Sequence, residues 1–203
     1  MKYTLDQSDT VTTPDGATLY RIQYENGTRG GYLQSTANLD PASVARVSGN
    51  ARVSGDAWVS GNARVSGDVW VYGNAQVSGD AQVSGNAQVS GDAQVSGDAQ
   101  VSGDAWVYGN AQVSGDAQVS GNAWVSEPEH CLTLGPLGSR NATLTVCRDP
   151  KLGVSYNTGC FFGSRDAFIA AVEATHGNTP RGNAYAAAVM LADHVVPAYG
   201  SED

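Results

Sequence analysis

The chain has 203 residues, 41% of them hydrophobic, and a formal net charge of -9 with only 11 Lys and Arg. That acidic balance excludes nucleic acid as an expected partner, since phosphate recognition needs a basic surface. No apolar run approaches the roughly 20 residues of a membrane-spanning helix, and Met1-Lys2-Tyr3-Thr4-Leu5-Asp6 lacks the apolar core of a signal peptide. Cytoplasmic placement with reduced thiols at Cys131, Cys147 and Cys160 is the expectation, and no cofactor is expected.

Residues 1–44 read as two or three short strands. Turn signals at Pro14-Asp15-Gly16 and Glu25-Asn26-Gly27 flank Thr18-Leu19-Tyr20-Arg21-Ile22. Any stack of strands needs its open end covered, so a capping role follows for this segment. Gly30-Gly31-Tyr32-Leu33 through Asn38-Leu39 is read as an irregular first coil.

Residues 45–126 hold fourteen consecutive hexads of the consensus A-x-V-S-G-[DN]. Leu, Ile, Val and Phe together make up less than a fifth of the chain, a composition close to that of disordered sequences. The unbroken register overrules that reading. Ala and Val flank one variable residue, so both face one side of a short strand. Ser-Gly-Asp/Asn supplies a corner, because Gly and Asn/Asp accept the left-handed backbone of a tight bend. Three hexads close a triangular coil of 18 residues, the pattern of a left-handed parallel β-helix of about 4.7 coils.

Residues 18 apart then stack into three faces. One reads Arg46, Arg64, Gln82, Gln100, Gln118; a second reads Trp58, Gln76, Gln94, Gln112; the third reads Arg52, Trp70, Gln88, Trp106, Trp124. Tyr72 and Tyr108 flank that third face, so Trp70, Tyr72, Trp106, Tyr108 and Trp124 form one aromatic patch. Such a patch marks an interface, and a homo-oligomer is expected, with a trimer favoured. Corner acids alternate with Asn in two columns. The third column (Asn62, Asp80, Asp98, Asp116) stacks three carboxylates and makes Asp80, Asp98 and Asp116 candidates for a cation.

After Ser126 the hexads end at Glu127-Pro128-Glu129. Residues 130–197 read as a small α+β module, followed by a tail at 198–203. Strands are expected at 131–134, 142–147 and 154–156. A helix from about Ser164 to Gly177 places Phe168, Ala171, Val172 and Thr175 on one face. A second, with Asn183 as N-cap, carries Tyr185, Val189, Ala192 and Val196 and stops at Pro197.

The module offers one candidate site. Gly135, Gly138, Ser139 and Arg140 form a Gly-rich loop ending in a guanidinium, and Gly159, Cys160 and Gly163 precede a helix start. If the two converge, backbone N–H groups and Arg140 make a pocket for a small anion. Cys160 with His176 is the candidate nucleophile–base pair, and Cys131, Cys147, Cys160 and His176 the candidate zinc set.

The hexad resembles the left-handed β-helix of the acyltransferase and γ-class carbonic anhydrase families. Their enzymes rely on histidines from the helix or its inserted loops. Here the repeats are uninterrupted, and His130, His176 and His194 all follow them, so neither activity carries over. Leu19-Tyr20-Arg21-Ile22, Gly30-Gly31-Tyr32-Leu33 and Asn38-Leu39 before such hexads resemble bacterial and phage proteins of unassigned activity. The tail is similar to a module of phage-encoded proteins, through Gly135-Pro136-Leu137-Gly138-Ser139-Arg140, Gly159-Cys160-Phe161-Phe162-Gly163 and His176-Gly177. The expectation is a non-enzymatic, phage-type binding or assembly protein in the host cytoplasm or virion. It takes a small anionic ligand, such as a signalling nucleotide, or a host protein. A structural decoration or fibre component and a small Cys-dependent enzyme are the alternatives.

Overall fold

The computed structural model describes residues 2–138 and 140–200. Its N-terminal strands β1 (Tyr3–Thr12), β2 (Thr18–Tyr24) and β3 (Arg29–Leu33) form an antiparallel meander. Fourteen two-residue strands follow, β4 to β17, from Arg46–Val47 to Trp124–Val125. Strands three hexads apart pair in parallel, as Gln82 does with Gln100 and Gln88 with Trp106. The result is a parallel β-solenoid of about five turns with three sheets, and its columns are those read from the 18-residue spacing.

The inward positions are Ala and Val throughout, with Val69 replacing one Ala, and all are buried. Such small side chains bring the coils close. Corner glycines have positive φ, and a Cβ built on Gly79 would lie 2.8 Å from the Gly97 nitrogen of the next coil. Outside, the corner amides point one way along the stack. Asn50 donates to Asp68, Asn74 to Asp92 and Asn86 to Asp104, at 2.8–3.0 Å. In the third column Asn62 donates to Asp80 at 2.9 Å.

The first open edge is closed by named side chains. The Tyr24 hydroxyl donates to the Val47 carbonyl and accepts from the Val47 N–H, both at 3.0 Å, which satisfies an edge residue with no strand beneath it. Burial pushes the Tyr24 phenol above its ordinary pKa. Asn38 is buried and donates to the Gly55 and Ala57 carbonyls at 2.9 Å. Tyr32 and Leu33 pair with Arg52 and Val53, and Leu39 bridges to Val59, so the stretch expected to be an irregular coil does stack beneath the first repeats. Glycines at 30 and 31 permit this. A Cβ at Gly31 would sit 2.4 Å from the Ala51 carbonyl oxygen.

The opposite end is covered by a four-stranded antiparallel sheet, β18 (Cys131–Leu137), β19 (Ala142–Asp149), β20 (Gly153–Thr158) and β21 (Phe161–Ser164). Its polar side chains take over the last coil. Thr145 Oγ1 accepts from the Gln118 N–H at 2.9 Å, and Asn157 Nδ2 donates to the Ser120 hydroxyl at 2.9 Å. Phe162 lies against Gly121. Helices α1 (Arg165–His176) and α2 (Pro180–Val195) pack on the sheet around Leu144, Val146, Tyr156, Phe168 and Val189.

Three expectations need correction. Helix α2 starts a turn before Asn183, because Thr179 is its N-cap, accepting from the Gly182 N–H, and Pro180 fits the first turn without needing a donor. Gly135 lies in β18 and Gly163 in β21, so neither belongs to a loop. Alternating Phe161-Phe162 extends the sheet instead. Cys131 and Cys147 face each other across β18 and β19, 4.2 Å apart at Cα, and form a disulfide. Among the described residues Cys160 alone is a free thiol. No helix among the described residues is long and apolar enough to cross a membrane.

Candidate functional site

Two turns and two helices line an open cavity of about 270 Å³ in the C-terminal module. The β18–β19 turn carries Arg140 to its rim, and the β20–β21 turn carries Gly159 and Cys160. Positive φ at Gly138, Asn141 and Gly159 lets both turns bend tightly. Helix α1 begins directly after β21, where the Ser164 hydroxyl accepts from the Ala167 N–H, and it presents Phe168, Ala171, Val172, Thr175 and His176 to the cavity. Tyr185 of α2 closes the base, its hydroxyl against Gly138.

The walls are aromatic. Phe161 and Phe168 are 5.3 Å apart, Phe168 meets Tyr185 edge to face at 5.7 Å, and His176 stacks on Tyr185 at 5.6 Å. Behind them Tyr156 stacks on Phe168, and its burial pushes the phenol up to about 12. Arg165 holds α1 to α2 by a bidentate pair with Asp193, at 2.8 and 2.7 Å, which keeps the Asp193 carboxyl below its usual range. Thr158 Oγ1 at the cavity is buried and has no hydrogen-bond partner among the described residues.

Of the candidate anion residues, Arg140, Gly159 and Cys160 line this one cavity. Gly138 supports it from beneath Tyr185. Gly135 and Gly163 lie within strands β18 and β21 and do not line the cavity. Ser139 lies outside the described residues. Sequence reasoning missed Thr158, Phe161 and Tyr185; the alternation of Val154, Tyr156 and Thr158 carried the signal for the first.

His176 and Cys160 share the cavity, but no hydrogen bond joins them among the described residues, and the imidazole is engaged with Tyr185. The zinc set is dismantled. Cys131 and Cys147 are bonded to each other, and among the described residues no group of three or more His, Cys, Asp or Glu can hold a metal. Asp80 is taken by Asn62, and Asp80 and Asp98 line a groove of about 860 Å³ that Arg46 and Arg64 share.

On the third solenoid face Trp106 stacks on Trp124 at 5.3 Å and 18°. Tyr72 and Tyr108 lean on Trp70 and Trp106 at 5.5 and 6.3 Å, as the column arithmetic requires. Trp106 remains 38% exposed and Tyr72 36%. Tyr199, from the chain after α2, comes edge-on to Trp124 at 5.3 Å. Trp58 is exposed alone on the second face.

These features define a β-solenoid protein with a compact module on its last coil. Family models narrow this further: the YdcK beta solenoid repeat matches residues 45–61, 57–73, 75–91, 81–97, 93–109, 99–115 and 111–127. The similarity is confined to the coils and carries the solenoid fold. No curated protein matches the chain significantly.

Proposed function

We propose that the chain is a non-enzymatic, phage-type binding and assembly protein. The solenoid is a rigid stalk that self-associates as a trimer through its aromatic face, and the C-terminal module binds a small organic anion. The meeting of Arg140 with Gly159 and Cys160 at one cavity, in a chain poor in basic residues, carries the binding half. The absence of any hydrogen bond between Cys160 and His176 among the described residues favours binding over nucleophilic catalysis, since a nucleophile needs its base within reach.

A ligand that binds only the folded chain adds RT ln(1 + [L]/Kd), about 2.7 kcal/mol at a hundredfold excess over Kd. A thermal-shift panel of mononucleotides, organic carboxylates and inorganic phosphate is expected to contain a stabiliser. Arg140→Ala should lose that gain while melting like the parent without ligand, because Arg140 is exposed. A panel with no stabiliser, or an Arg140→Ala that keeps the gain, refutes the anion site.

The aromatic face supports the assembly half, because exposed Trp and Tyr dominate the energy of protein interfaces. Trp106→Arg should shift the sedimentation coefficient towards the monomer, whereas Gln94→Arg on another face should leave it unchanged. Identical sedimentation of both variants removes this interface.

A further inference from the structure

We infer that the C-terminal cavity is built for a single-ring aromatic carboxylate. This rests on reading the cavity as an anion site and narrows it to a chemical class. Phe161, Phe168 and Tyr185 line the cavity and pack on one another in tilted and edge-to-face arrangements, contacts that a further planar ring can join. The volume of about 270 Å³ falls just below the roughly 300–1,000 Å³ of pockets for drug-sized ligands, which suits one ring and a short substituent.

Polar side chains line it at Arg140, Thr158, Cys160, Thr175, His176 and Tyr185. Among the described residues Arg140 is the only Lys or Arg that lines the cavity. A carboxylate answers that guanidinium, whose N–H fork can hold both of its oxygens. A bare phosphate is poorly served. It needs several converging N–H groups, but Gly135 and Gly163 lie in strands β18 and β21 and do not line the cavity.

Calorimetric titration of the full chain with benzoate, benzamide, cyclohexanecarboxylate and inorganic phosphate tests this. Benzoate is expected to bind, with benzamide and cyclohexanecarboxylate each weaker by about tenfold and phosphate silent. Arg140→Ala should bring benzoate down to the level of benzamide. Ala171→Trp, which fills the cavity from α1, should abolish benzoate binding; unchanged affinity in that variant would put the site elsewhere. If phosphate or cyclohexanecarboxylate binds as tightly as benzoate, the aromatic class is wrong and the anion site stands. If benzamide matches benzoate, or none of the four binds, the anion site fails as well.

Discussion

Replacing Val89 with Asp should abolish the cooperative melt or lower the midpoint by roughly 10 °C or more, because several kcal/mol are lost and each shifts a chain of this size by about 2–4 °C. Val89 has no exposed surface and stacks between Val71 and Val107 on the axis of the solenoid. Ala and Val fill that axis and offer a carboxylate neither a donor nor a cation. An Asp there must ionise without a partner, stay protonated at a cost, or force its coil open. Gln88→Asp, one residue away and pointing outward, is the control and should melt near the parent. Equal midpoints for the two variants would show that Val89 does not face the core.

The second large effect is expected at a corner glycine. Gly85 has φ of 74°, and a Cβ there would lie 2.8 Å from both the nitrogen and the oxygen of Gly103. The neighbour is backbone. It cannot rotate aside, and withdrawing it would break the 2.9 Å bond from the Asn86 N–H to the Gly103 carbonyl. Gly115 has nearly the same φ, 62°, but nothing within 4 Å of its Cβ position. Gly115→Ala should therefore cost only the left-handed backbone penalty, about 1–2 kcal/mol. Gly85→Ala should cost at least twice that by urea titration. Equal losses would mean that glycine serves only conformation here and not the approach of coils.

Whatever repeats was readable from residues alone, because each hexad meets the same environment. The Arg52, Trp70, Gln88, Trp106, Trp124 column follows from spacing and appears in the pairings of β5, β8, β11, β14 and β17. Helix α1 was legible for a local reason, Ser164 before it and Gly177 after it. What depends on distant register was not. The disulfide needs Cys131 opposite Cys147, which emerges only once the β18–β19 pairing is known. Thr145 and Asn157 look like ordinary strand polars until the last coil is set beneath them. At the candidate site, glycine misled: Gly135 and Gly163 resemble loop residues, yet a strand accepts glycine where a ring or a neighbouring chain packs close. The aromatic lining was hidden because Phe161 and Tyr185 lie far apart in sequence and are joined only through Phe168 of α1, which contacts both.

Because both ends are held by side chains that exist once, while the middle is made of nearly interchangeable turns, the stalk behaves as a ruler with a built-in bearing. Eighteen residues added or removed between Asn74 and Asp104 would change its reach by one rung, about 4.8 Å, and keep the module above the same face. Six residues would instead turn the module, together with Trp106 and Trp124, a third of the way round the axis relative to Trp70 and the N-terminal strands. Length and heading are thus set independently, by whole turns and by the remainder, so lineages can lengthen the stalk without re-aiming what it carries.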